Sequence, residues 1–146
     1  GADLCKNDFR RIGKTRCFRF KRGGFKQAQR HVVRCGEVDD RGFVASCNST
    51  NFFIIRGEEL WTSTGSMCFN GITRSKVIKL WRDAGKPVFE KDYTLAETYA
   101  ADEAFVTGTL GGITPVTMID GRPVGLGKPG QVTSAISDLY RTYIGE

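Results

Sequence analysis

EAFVTGTLGGITPVTMIDGRPVG, residues 103–125, reads in three pieces. The apolar run Ala104, Phe105 and Val106 predicts a buried strand, which leaves the core through the small residues Thr107, Gly108 and Thr109. Small residues at a strand end let backbone and hydroxyl groups approach a bound phosphate closely. The stretch from Ile113 to Gly125 then predicts a hairpin turning at Asp120-Gly121, since both residue types tolerate the positive φ that a tight two-residue turn demands. Strand, loop and hairpin in succession make a sheet the scaffold.

Working toward the N-terminus, Thr94 and Glu97 have the spacing of a capping box, with Leu95 and Tyr99 one turn apart on the short helix it opens. Before that, NGITRSKVIKL (70–80) is a glycine turn running into a helix. Thr73 is its predicted cap, Val77, Ile78, Trp81 and Ala84 its apolar face, and Gly85 with Pro87 its stop. NFFII (51–55) and LWTS (60–63) read as two strands joined by a turn at Arg56-Gly57-Glu58-Glu59, and DDRG (39–42) as the turn leading to FVAS. Toward the C-terminus, Val132, Ile136, Leu139, Tyr140 and Tyr143 stripe a last helix. The fold class is mixed α and β. Residues 39–146 form its domain, and residues 1–38, without sustained periodicity, read as an atypical basic segment, either disordered or mistranslated.

The charge is divided along the same line. Residues 1–35 hold 11 of the 22 Lys and Arg against two acids, a net +9, while the remainder is at −3. A basic arm could contact nucleic acid through phosphates, but charge runs are more often solvated, and nucleic acid is disfavoured as a partner. No apolar run approaches the roughly 18 residues that span a bilayer, so no membrane partner is expected. The 146-residue chain is long enough to bury about 70% of its unfolded surface in one domain. It begins without methionine or a signal sequence, and reads as a cytoplasmic fragment. Five cysteines in no Cys-x-x-Cys pair read as reduced thiols. His31, the only histidine, leaves no His-based metal cluster, so no metal is expected.

Three stretches invite chemistry. Gly71-Ile72-Thr73 opens a helix, where unpaired N–H groups and the positive end of the helix dipole suit an anion. GLGKPG (125–130) has glycine-fingerprint spacing, but only 16 residues follow it, too few for the acidic residue of a dinucleotide site, so it reads as a loop after the hairpin. Asp102-Glu103 pairs two carboxylates, yet adjacent residues do not face one another, and both read as solvated.

GFVASCNSTNFFI (42–54), FNGITR (69–74), the stretch from Ala101 to Gly125 and GQVTSAISDLY (130–140) together resemble the class IV aminotransferases of pyridoxal-phosphate (PLP) fold type IV. This family includes the branched-chain and D-amino-acid aminotransferases and the aminodeoxychorismate lyases. The resemblance implies the large C-terminal α/β pseudobarrel domain of such an enzyme, with the small N-terminal domain absent from this chain. It implies pyridoxal 5'-phosphate as cofactor, its phosphate received by the N–H groups of Ile72 and Thr73 and, from the second loop, by Thr109 beside Gly108. The backbone at Leu110 would face the substrate carboxylate, and Asn51 would brace the strand that carries the pyridine-facing residue.

That residue is Ser46, where the family's G-x-V-x-E-G pattern has glutamate. A carboxylate keeps the ring nitrogen protonated; a hydroxyl cannot supply that charge. The lysine that bonds the cofactor and moves the α-proton corresponds by position to Lys14, 32 residues before Ser46, although the sequence after it lacks the family's apolar helix and strand. The implied function is amino-group transfer between an amino acid, branched-chain type favoured, and a 2-oxo acid, impaired in this chain, with a homodimer as the complete enzyme. The alternatives are a D-amino-acid aminotransferase, an aminodeoxychorismate lyase-like enzyme, or a catalytically inactive truncated domain.

Overall fold

The computed structural model of the chain describes residues 16–22, 32–39, 41–47, 50–64, 71–108 and 112–146. In chain order its elements are β1 (Arg16–Arg22), β2 (Val32–Val38), β3 (Val44–Cys47), β4 (Asn51–Arg56), β5 (Glu59–Thr62), α1 (Ile72–Asp83), β6 (Val88–Glu90), α2 (Leu95–Tyr99), β7 (Glu103–Gly108), β8 (Gly112–Ile119), β9 (Arg122–Pro123) and α3 (Gln131–Tyr143).

The strands form one sheet in the order β3-β2-β1-β8-β7-β4-β5-β6, with β9 paired to β8. Neighbours are antiparallel except β5 and β6, which run parallel because α1 carries the chain across between them. Both faces of the central strands are covered, which explains why NFFII is a continuous apolar run and not an alternating one. Phe52 and Ile54 of β4 face one cluster with Val44, Tyr93, Ala104, Val106 and Val116. Phe53 and Ile55 face the other, under Val77, Ile78 and Trp81 of α1 and Ile136 of α3. The rings of Phe53 and Phe105 stack across β4 and β7 with centroids 4.8 Å apart. Each such fully buried ring contributes about 1.5–3 kcal/mol relative to exposure. Val44, from β3 at one end of the strand order, shares a cluster with Phe52 and Ile54, so the sheet curls until β3 comes round to β4, in keeping with the pseudobarrel expected.

Local signals set several of the joints. Asp120 (φ 49°) and Gly121 (φ 78°) turn the β8–β9 hairpin with the paired positive φ expected of a tight turn. The capping box at α2 is complete, Thr94 Oγ1 accepting from the Glu97 N–H and Glu97 accepting from the Thr94 N–H. Tyr99, at the end of that helix, donates its hydroxyl to Asp120, while Arg122 lies over the ring at 4.5 Å. Burial, together with the bond and charge of Asp120, pushes the Tyr99 phenol up to about 12. In the turn before β3, Asp39 accepts from the N–H groups of Arg41 and Phe43 and from the Arg41 guanidinium. Burial alone would raise the Asp39 carboxyl, but those hydrogen bonds outweigh it and hold it below its ordinary value.

Four expectations are corrected. The N-cap of α1 is Gly71, not Thr73, which lies buried inside the first turn; Ala84 is the exposed C-cap and lies off the apolar face. Leu139 and Tyr143 of the α3 stripe are exposed, while Ile136 is buried and Val132 and Tyr140 pack at the core margin. Asp102 and Glu103 are not simply solvated: Asp102 accepts from the N–H of Gly57 at 2.7 Å, holding the β4–β5 turn, and Glu103 reaches α3. The structure also describes two strands, β1 and β2, within residues 1–38, and β1 pairs with β8. Phe18 and Phe20 alternate with Arg19 and Lys21, a period-two signal that is short and buried in charge. Among the described residues, no helix is long and apolar enough to cross a membrane.

Candidate active site

Two helix N-termini in this fold are built in opposite ways. α3 opens after Gly130, and the carboxylate of Glu103, from β7, accepts from the N–H groups of Val132 at 3.1 Å and Thr133 at 2.8 Å. The protein's own anion fills that end, so GLGKPG offers no seat for a ligand phosphate. Gly130 is glycine for the same reason: a Cβ there would collide with the Glu103 carboxyl group.

α1 opens differently. Gly71 is extended (φ −70°, ψ 153°), no side chain caps the helix, and no acidic residue occupies its first turn. The first N–H groups of a helix have no acceptor within it. Those of Ile72 and Thr73 therefore face an end that carries the positive pole of the dipole without a carboxylate. The Ile72 side chain is 77% exposed, so this residue offers the seat its backbone and little else. The turn itself is held from two sides. Asn51, buried at the start of β4, accepts from the Gly71 N–H at 3.3 Å. Arg74, also buried, donates to the Ser63 carbonyl at 2.7 Å and pairs with Glu90 at 3.0 Å, fastening α1 to the segment after β5 and to β6.

The end of β7 arrives beside it. Asn51 of β4 is the direct cross-strand partner of Thr107 of β7, and Gly108 pairs with Gly112 at the base of the connection between β7 and β8. The ends of β4 and β7 and the opening of α1 therefore meet. A Cβ at Gly108 would come within 3.2 Å of the Thr50 side chain on the opposite face, so the position is kept small by packing. Of the residues expected at the site, Ile72, Thr73 and Gly108 are gathered here. Ser46 lies in β3, whose end is a short connection from Asn51. Lys14, Thr109 and Leu110 lie outside the described residues.

Sequence reasoning missed Arg74. Its only local sign is a basic residue early in a helix, and its partners stand 11 and 16 residues away.

The sequence model for aminotransferases of class IV matches residues 22–119. The chain belongs to the class IV aminotransferase family. The match begins earlier than Gly42, where the resemblance was expected to start, and takes in β2. A branched-chain-amino-acid aminotransferase of Pseudomonas aeruginosa is 40% identical over 103 residues, which are 70% of this chain and 34% of that protein. A D-alanine aminotransferase of Listeria monocytogenes is 40% identical over 98 residues, 66% of this chain and 34% of that protein. Among solved structures, a branched-chain amino acid aminotransferase from Escherichia coli superposes with a TM-score of 0.68. It is 34% identical, over 74% of this chain and 36% of that one. The chain thus spans about a third of the length of the relatives it matches.

Class IV aminotransferases use pyridoxal phosphate. The described residues fit its phosphate: an uncapped helix start free of acids, braced from below, beside a strand end at which the Thr107 hydroxyl is buried without a hydrogen-bond partner.

Proposed function

We propose that this chain carries the cofactor-binding part of a PLP-dependent aminotransferase, moving an amino group between an amino acid of the branched-chain type and a 2-oxo acid. One observation carries the reading: the α1 opening is held in place by Asn51 and Arg74 yet left without a cap of its own. When bound, pyridoxal phosphate supplies the electron sink that lets the substrate's α-carbon lose a proton.

The chain's residues then divide the work. The N–H groups of Ile72 and Thr73 and the hydroxyl of Thr109 hold the phosphate, and Gly108 keeps that loop close. The Leu110 backbone meets the substrate carboxylate. Lys14 bonds the cofactor and carries the α-proton as acid and base. Ser46 hydrogen-bonds the pyridine nitrogen without giving it a negative partner, so turnover is slow. The working enzyme is a cytoplasmic homodimer whose remaining domain completes the pocket.

A second reading concerns substrate handedness, because the D-alanine aminotransferase relative is as identical as the branched-chain one. Mixing the PLP-loaded protein with L-leucine or D-alanine and assaying the 2-oxo acid formed decides between them. Oxo acid from L-leucine supports the branched-chain reading. Oxo acid from D-alanine alone replaces it with the second, and none from either removes both.

A further inference from the structure

We propose that Thr107 is a further phosphate-binding residue of this site, its hydroxyl donating to the anion received by the first turn of α1; the inference rests on the reading of that turn as the cofactor's phosphate seat. Thr107 is 1% exposed, and its Oγ1 is buried with no hydrogen-bond partner. A buried hydroxyl left unpaired destabilises the fold, and the position lies on a strand whose preceding residues are Phe105 and Val106. Valine would fill the same volume without that cost. A hydroxyl here has a physical use once a ligand brings it an acceptor.

The register shows where it points. Asn51 and Thr107 are direct partners across antiparallel β4 and β7, so their side chains leave the same face of the sheet, with Cβ atoms about 4.5–5.5 Å apart. The Asn51 side chain reaches the Gly71 N–H at 3.3 Å. Thr107 therefore stands beside Asn51 under the opening of α1, where the free N–H groups converge. Phe53 and Phe105, two residues away along the same two strands, lie in the cluster packed beneath α1, which fixes that face as the helix side. Among the described residues the first turn of α1 holds no acid, so a phosphate there meets backbone N–H groups from the helix and this hydroxyl from the sheet.

The test compares the parent chain with Thr107→Val, which keeps the shape, and Thr107→Ser, which keeps the hydroxyl. Equilibrium binding is measured for pyridoxal phosphate, for pyridoxal without phosphate, and for inorganic phosphate, with thermal midpoints of the free proteins alongside. The expected result is an affinity of Thr107→Val for pyridoxal phosphate and for phosphate about ten- to a hundredfold weaker, the loss of one charge-assisted hydrogen bond. Its pyridoxal affinity and thermal midpoint do not fall, and Thr107→Ser binds within a few-fold of the parent. Unchanged phosphate binding in Thr107→Val overturns the inference, as does equal loss for pyridoxal and pyridoxal phosphate with a lowered midpoint, which marks a packing role. Phosphate binding that depends on Thr107, in a chain that takes pyridoxal phosphate no better than phosphate, sustains the inference and removes the cofactor reading. A parent chain that takes neither anion overturns both.

Discussion

Asn51 Oδ1 accepts the N–H of Gly71 at 3.3 Å, tying the first residue of β4 to the residue from which α1 opens. The bond uses up the one N–H just outside the helix and leaves those of Ile72 and Thr73 for a ligand. Asn51→Leu leaves that buried N–H unpaired and is expected to cost about 1–3 kcal/mol in urea unfolding. Asn51→Asp keeps an acceptor for Gly71 but sets a negative charge beside the phosphate. It is expected to lose less stability than Asn51→Leu while weakening pyridoxal-phosphate binding at least about tenfold. Equal effects of the two variants on binding would show that the side chain serves stability alone.

The Glu103 cap on α3 predicts a coupling. Glu103→Ala removes the acceptor of two helix N–H groups and is expected to cost about 1–2 kcal/mol. Gly130→Ala drives a Cβ into the same carboxylate and forces it off the helix end. The double variant should therefore be less destabilised than the two single losses added together. Additive losses in a denaturant double-mutant cycle would mean that the glycine and the carboxylate act apart.

How legible these arrangements are in the sequence depends on how far apart the partners lie. The α2 capping box and the Asp120-Gly121 turn are local, four residues and two residues long, and both stand as read. The opening of α1 is visible as glycine followed by a helical stripe, but its true cap is hidden, because Gly71 is satisfied by Asn51, 20 residues earlier. Asp102 and Glu103 look like surface charge because the groups they bind, Gly57 and Thr133, are 45 and 30 residues away in opposite directions. β1 and β2 escape notice since their alternation is brief and rich in arginine. The orphan hydroxyl of Thr107 has no sequence signature; a threonine near a strand end is ordinary until its burial and register are known.

Tyr99 gives a pH prediction. Folded, it keeps its proton to about 12, whereas an ordinary phenol releases it near 10. Between those values the unfolded chain binds fewer protons than the folded one, so this contribution to stability is intact below about pH 10 and is lost as pH rises through the folded value. Tyrosinate absorbance during an alkaline titration should show a late step near 12 that disappears in Tyr99→Phe. A titration curve whose late step survives the substitution would assign it elsewhere.

Ser46 in place of the family's glutamate predicts a gain by substitution. If a hydroxyl facing the ring nitrogen is what slows the reaction, Ser46→Glu should raise the rate of oxo-acid formation from L-leucine by about tenfold or more, equivalent to at least about 1.4 kcal/mol in the barrier. Single-turnover kinetics check this, because they separate chemistry from cofactor affinity. A slower variant with unchanged binding would show that the site has adjusted to a neutral partner.

The central claim, that this chain holds pyridoxal phosphate for amino-group transfer, is tested most directly by incubating it with the cofactor, reducing with borohydride, and locating the modified lysine by peptide mass. The account predicts one labelled residue, Lys14, with labelling suppressed by excess inorganic phosphate competing at the α1 opening. Absence of label, or label scattered over Lys6, Lys21 and Lys26 and indifferent to phosphate, would contradict it.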